Sequence, residues 1–186
     1  MRVVVTAPPE PVVDVELAKA HLRVDGDGED TLIEAYVAAA TAHLDGPAGW
    51  LGRAIGEQTL ELRCGRFCNP LPLPYGPVQS VESVKYIDTN GAEQTADEAL
   101  YVLNGNSVGL TYRSSWPSLR GDVEGVRVEY VAGYAPGEVP APIIAAILLM
   151  TGDLFASRES TGQVTAAINM STTVEALLAP YRIWNI

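Results

Sequence analysis

The stretch HLRVDGDGEDTLIEAY at residues 21–36 sets Asp25, Asp27 and Glu29 at alternate positions, the oxygen-ligand spacing with which a calcium loop begins. The rest of such a loop is missing. Its sharp-turn glycine would fall where Asp30 stands, and its bidentate glutamate where Tyr36 stands. Gly26 and Gly28 follow HLRV, a helical segment, and the third glycine of a dinucleotide loop is absent. The run therefore reads as a junction between two helices. Its glycines permit the turn, and Asp27 or Asp30 is expected to accept hydrogen bonds from the free N–H groups of the next helix.

The other polar side chains offer no reactive constellation. His21 and His43 are the only histidines, and neither has a cysteine or glutamate at ligand spacing, so both are expected in structural or surface roles. No serine lies in a GxSxG elbow, and HExxH, GxxxxGK[ST] and a strand-following GxGxxG are all missing. Asp97 with Glu98, and Asp122 with Glu124, fall in polar turns without the apolar enclosure that general acid catalysis needs. Arg113, Trp116 and Arg120 surround SSWPSLRG, where stacking on bases would be one use. The neighbouring Asp122 and Glu124 favour a capped loop instead. Cys64 and Cys68 would be roughly 13 Å apart in an extended strand, beyond disulfide reach, and are expected to be reduced and structural. No catalytic, cofactor-binding or metal-ligating residue is assigned, and no cofactor is expected.

The elements that hold these residues change character along the chain. Asp14 is placed to cap VELAKAHLRV, whose Leu17, Ala18, His21 and Leu22 share a face. A second helix over about 30–45 carries Leu32, Ile33, Tyr36, Val37, Ala40 and Leu44 as one stripe. Gly46, Pro47 and Gly49 stop it, and WLGRAI is expected to add a short helical turn leading outward. From 57 to 131 the pattern alternates: QTLELRC, QSVESVKYID, YVLNGN, SVGLTY and VRVEYV read as strands. Asn90-Gly91 signals a two-residue primed hairpin, and Val81, Val84, Tyr86, Val126, Val128 and Tyr130 supply apolar faces. The proline-rich NPLPLPYGP belongs to a loop or an edge. After Gly133 the helical pattern returns in IIAAILLMTGDLF, apolar on nearly every side, with Ile143, Ile144, Ile147, Leu148, Leu154 and Phe155 as core or oligomer contacts. Residues 159–171 lack a pattern and are expected to form a mobile loop. Thr172 with Glu175 suggests a capping box before TVEALLA, which Pro180 ends. The closing YRIWNI is too short to bury its own aromatics, so Tyr181, Arg182, Ile183 and Trp184 are expected to dock on a partner surface, with folding back onto the first two helices as the alternative.

The fold class is therefore α+β: both chain ends form a helical subdomain, and a small, mostly antiparallel β region is inserted between them. The divisions are an N-terminal helical part at 1–56, the β region at 57–133, and a C-terminal helical part with its tail at 134–186. At 186 residues the chain can bury a sizeable core. Its 12 basic and 23 acidic residues give a formal charge of −11, which argues against sequence-independent gripping of a phosphate backbone. No basic N-region followed by an apolar stretch is present, so no signal peptide is expected. The longest apolar run, VPAPIIAAILLM at 139–150, is too short to cross a bilayer, and no membrane contact is expected.

Four segments, in order and over nearly the whole chain, carry a family likeness: VELAKAHLRVDGDGEDTLIEAYVAAA, LPYGPVQSVESVKYIDTNGAEQT, VEYVAGYAPGEVPAPIIAAILLMTGDLFASRES and LLAPYRIW. Together they resemble the phage head-tail connector (adaptor) family, in particular the branch also found in gene transfer agents and carrying a DNA-packaging label. The small-residue TGQVTAAINMS departs from the tyrosine- or proline-containing stretch usual at that point. The resemblance implies a non-enzymatic virion structural protein of the neck, a homo-oligomeric and commonly dodecameric ring. Its implied partners are the portal protein and a stopper or tail-terminator protein. DNA would cross the central channel during packaging and genome ejection without sequence-specific binding, and assembly would take place in the bacterial host cytoplasm. The alternatives from other classes are an independent monomeric protein-binding module and an enzyme of unknown class. The acidic balance suits a channel, because like charges weaken adhesion to DNA.

Overall fold

The computed structural model describes residues 1–157 and 170–184. Most of the loop expected at 159–171 lies outside them. The architecture is α+β, and the chain divides into two compact units, residues 1–10 with 56–135 and residues 11–55 with 136–186.

The first unit holds the strands β1 (Arg2–Ala7), β2 (Gln58–Cys64), β3 (Leu71–Pro72), β4 (Val78–Ile87), β5 (Glu93–Thr95), β6 (Tyr101–Asn104), β7 (Ser107–Leu110) and β8 (Val126–Ala132). They form a five-stranded sheet ordered β1-β2-β8-β4-β5 and a three-stranded sheet ordered β3-β7-β6. Every ladder is antiparallel. The strand at Arg2–Ala7 corrects the helical reading of the N-terminal part. Its Val-Val-Val-Thr run is β-favouring and pairs with β2, Val3 opposite Leu62 and Val5 opposite Leu60. In β2, Gln58, Leu60, Leu62 and Cys64 are buried; in β8, Val126, Val128, Tyr130 and Ala132 are. These alternations share one face. In β4 the inward residues do not alternate strictly, because register shifts fall between Val78 and Ser80 and between Val81 and Ser83. Each bulge adds a residue to β4, so Val81 still meets Tyr130, Val84 meets Val128 and Tyr86 meets Val126. The proline-rich stretch contributes only the two-residue β3, at the edge of the small sheet, and it buries Leu71 and Leu73.

The hairpin between β4 and β5 is present, but its turn differs from the expected two-residue loop. The Asp88 N–H donates to the Ala92 carbonyl and the Gly91 N–H to the Asp88 carbonyl. Asp88 Oδ1 also accepts from the Asn90 and Ala92 amides at 2.8 and 3.0 Å. Those N–H groups hold the Asp88 carboxyl below its ordinary pKa, with Ala92 the first cause. Gly91 is left-handed at φ 87°, whereas Asn90 has no positive φ. A primed two-residue turn needs positive φ at both central positions, so the aspartate and one left-handed glycine make this turn.

The second unit holds α1 (Val15–Leu22), α2 (Asp30–Leu44), α3 (Ala141–Ala156) and α4 (Thr172–Leu178). Asp14 caps α1, accepting from the Leu17 amide at 2.7 Å. The α1 face differs from the expected one: Ala18 and Lys19 are buried, while Leu17 and His21 are exposed. In α2, Ile33, Val37, Ala40 and Leu44 are buried, the inner line of the expected stripe. The α4 cap is Ser171 rather than Thr172, with Ser171 Oγ accepting from the Val174 amide. WLGRAI forms no helical turn. The chain instead doubles back over the end of α2, the Trp50 and Leu51 amides donating to the His43 and Leu44 carbonyls and Gly46 N–H to the Arg53 carbonyl. Within this unit α3 packs against α1, α2 and α4.

Candidate functional site

The acidic run at the α1–α2 junction is organised by a cation that the sequence reading passed over. Lys19, 6% exposed, directs its Nζ to Asp30 Oδ1 at 3.0 Å, Asp27 Oδ1 at 3.1 Å and Glu16 Oε1 at 3.4 Å. Its pKa is raised, first by the Asp30 carboxylate and then by Asp27, against the effect of burial. Neither Asp27 nor Asp30 caps α2 as expected. Glu29 occupies the cap position without a side-chain cap bond, and Asp27 and Asp30 turn toward the ammonium instead. The run is a carboxylate clamp that lets a lysine lie inside the helical unit. A detectable signal was available: Lys19 is one of only two lysines in the chain and stands three residues after Glu16 and shortly before five acidic residues.

In the β unit, the residues around SSWPSLRG form a closed aromatic stack. Trp116 lies flat on Phe67 at 4.4 Å and 5°, next to Tyr101 at 6.0 Å, and Phe67 meets Tyr86 edge-on at 6.1 Å. Trp116 Nε1 donates to the Cys68 carbonyl at 3.1 Å. The indole expected to be available to bases is thus committed to the protein, and Arg120 is paired with Asp122 at 2.9 Å. Both cysteines are free thiols; Cys64 is buried, which pushes its pKa up, and Cys68 is exposed. Asp97 accepts from the Ala99 amide at 2.9 Å and so caps a short turn, Glu98–Leu100. Tyr130 is fully buried and its hydroxyl donates to the Pro74 carbonyl at 2.8 Å.

The sequence-nominated assembly residues lie on α3 and the tail. On α3, Ile143, Ala146, Ile147, Met150 and Thr151 are buried at helical spacing, so Ile143 and Ile147 are core. Ile144, Leu148, Leu154 and Phe155 are half-buried, with the Phe155 ring edge-on to Tyr36 at 6.5 Å. The tail follows α4 through a turn at Ala179–Tyr181. Ile183 N–H donates to the Leu51 carbonyl at 2.8 Å. The Arg182 guanidinium lies between two indoles, 3.9 Å from the Trp50 ring and 3.8 Å from the Trp184 ring. Gly52, left-handed at φ 64°, lets the Ile183 carbonyl approach to 2.6 Å from where a Cβ would stand. The tail backbone is therefore seated on the turn after α2, while Tyr181 is half-buried and Trp184 remains 68% exposed. Sequence reasoning named the tail but not Trp50 and Gly52, its receiving surface.

Among the described residues no group of three His, Cys, Asp or Glu side chains is placed to hold a metal ion, and no helix is long and apolar enough to cross a membrane. The polar side chains cap turns, pair across strands and clamp loops, and large side chains remain at the surface. The chain belongs to the phage gp6-like head-tail connector protein family, whose model matches residues 13–110. The family is structural, and the chain is a connector rather than an enzyme. A search of the curated proteins finds no match. Among solved structures, the fold is similar to a chain in the virion of a native gene transfer agent particle, with 19% identity and a TM-score of 0.78, covering 100% of this chain and 97% of that one. It is similar also to chains in the neck of an empty particle solved with C6 symmetry (20%, TM-score 0.77) and of a native particle solved with C12 symmetry (18%, TM-score 0.72). Both of those alignments again cover 100% of this chain and 97% of the other.

Proposed function

We propose that this connector is the repeating subunit of a homo-oligomeric ring in the neck of a phage or phage-like particle. The ring stands between the portal and the stopper or tail-terminator protein, with DNA passing through its centre without sequence-specific binding. The observation that carries the proposal is the end-to-end likeness of fold to chains of gene transfer agent necks, joined to membership of the connector family. The subunit is made in the bacterial host cytoplasm and assembles there on the portal, in twelve copies where the neck has C12 symmetry. Its charge of −11 supports this role, because an acidic chain adheres weakly to a passing duplex.

The tail is the portal-docking element of this proposal. Arg182 and Ile183 anchor it, so Trp184 presents its indole in a defined place, and exposed tryptophan held in one orientation is a frequent anchor of interfaces. Tyr181 flanks that anchor, and Ile144, Leu148 and Leu154 add apolar surface on α3 for a neighbouring copy. Cryo-electron microscopy of a neck containing this chain tests the reading. Density for a ring of this fold between portal and tail is expected, and its absence from that position would refute the proposal.

A further inference from the structure

The five-stranded sheet ends in two open edges, and the two edges differ in chemistry. Among the described residues no strand lies beyond β1 on one side or β5 on the other. On β5, the Ala96 amide bonds to the Val84 carbonyl and the Asp88 amide to the Ala92 carbonyl, so the even-numbered residues face β4. Glu93 and Thr95 then direct their N–H and C=O groups outward, and all three β5 residues are exposed. On β1, six residues read RVVVTA without a lysine or proline, and the one irregularity that blunts this edge, the register shift between Val5 and Ala7, falls at its C-terminal end. Val5, opposite the buried Leu60, is still 40% exposed, so the apolar face of the sheet runs out uncovered at this edge. Residues 1–9 carry Arg2 and no acid, whereas residues 93–98 carry Glu93, Asp97 and Glu98 and no base. Arg2 and Glu93 each have an ion-pair partner within the chain, yet their side chains stay 65% and 47% exposed.

We infer that the sheet continues from one copy to the next, the free edge of β1 on one copy pairing in parallel with the free edge of β5 on its neighbour. The inference rests on the ring reading above. A cyclic ring needs a heterologous contact, one surface meeting a different one, and two unlike edges of opposite charge meet that need. Strand direction follows from the topology. Four antiparallel steps lead from β1 to β5, so the two outer strands run the same way, and rotation of a copy about a ring axis brings them side by side in parallel. A closed twofold dimer would instead pair β1 with β1, or β5 with β5, antiparallel.

The test is cross-linking in a Cys68→Ser background, with Thr95→Cys on β5 and, in turn, Val3→Cys, Val4→Cys or Val5→Cys on β1. Neighbouring strands lie about 4.8 Å apart, within disulfide reach. Oxidising assembled rings should give a ladder of covalent oligomers extending beyond the dimer for at least one double variant and no cross-link for any single variant. Val5→Lys should stop ring assembly while leaving the thermal midpoint of the chain unchanged. Rings that form but yield no ladder in any register, or that still form with Val5→Lys, overturn the edge inference and leave the ring reading standing. Dimers from a single-cysteine variant overturn it in favour of a twofold contact. A chain that forms no ring, alone or on its portal, overturns the reading itself and the inference with it.

Discussion

Replacing Tyr130 with Phe tests how the two sheets of the β unit are held to each other. The Tyr130 ring is fully buried in the centre of β8, and its hydroxyl reaches the Pro74 carbonyl next to β3 at 2.8 Å. Phenylalanine keeps the packing and removes only that bond. The loss is about 1–2 kcal/mol at neutral pH, because the carbonyl is left without its donor. For a chain of this size that is a fall in thermal midpoint of roughly 2–8 °C. The same residue makes a pH prediction. Burial raises the Tyr130 pKa above that of a free phenol, so between the two values the unfolded chain binds fewer protons than the folded one. Its contribution is therefore complete below about pH 10 and is lost as pH rises further, at up to about 1.4 kcal/mol per pH unit. Tyr130→Phe lacks this term. Urea unfolding at pH 7, 10 and 11 should show the variant less stable at neutral pH and the two proteins converging above pH 10. Tyr101, also raised by burial, is present in both and cancels in the difference. A deficit that stays constant across this range would refute the buried, protonated phenol.

Gly91→Val should cost about 1–2 kcal/mol, because a branched residue must enter the left-handed region, whereas Asn90→Ala should change the unfolding midpoint little. Equal losses would restore the primed two-residue turn. Asp27→Asn with Asp30→Asn should lower the thermal midpoint clearly, by leaving the Lys19 ammonium buried with only Glu16, and Asp25→Asn, which touches no part of the clamp, serves as the control. Calcium titrated into the unmodified chain should give no binding heat, since Lys19 already holds the carboxylates, and micromolar binding would contradict that arrangement. For the tail, Trp184→Ala should abolish portal binding with little change in thermal midpoint, while truncation after Pro180 should lower the midpoint as well, because it removes the Arg182 stack and the Ile183 anchor. Unimpaired portal binding by Trp184→Ala would remove the indole from the proposed interface.

What could be read in the sequence depended on how far each feature's cause lay from it along the chain. The β2 and β8 alternations, the α2 stripe and the Asp14 cap are set by neighbours within a few residues, and they appear where periodicity places them. The assignment of β1 was missed because its reason lies more than fifty residues away, in the open edge of β2. Lys19 was missed for a related reason: helical periodicity treats lysine as a surface residue, and only the turn that brings Asp27 and Asp30 back over α1 makes burial tolerable. The tail shows the same division. Its aromatic content marks it as needing a surface, but the residues of that surface, Trp50 with Leu51 and Gly52, look in sequence like a helical turn leading away. A connector has no reactive group to place, so its function rests on which surfaces the fold leaves open. Those surfaces are products of long-range pairing, which is why the family resemblance reached the role before any single residue could. With the tail backbone seated on its own chain, the outer face of the Trp184 indole and the unlike sheet edges are where contact with the portal and with neighbouring copies should be sought first.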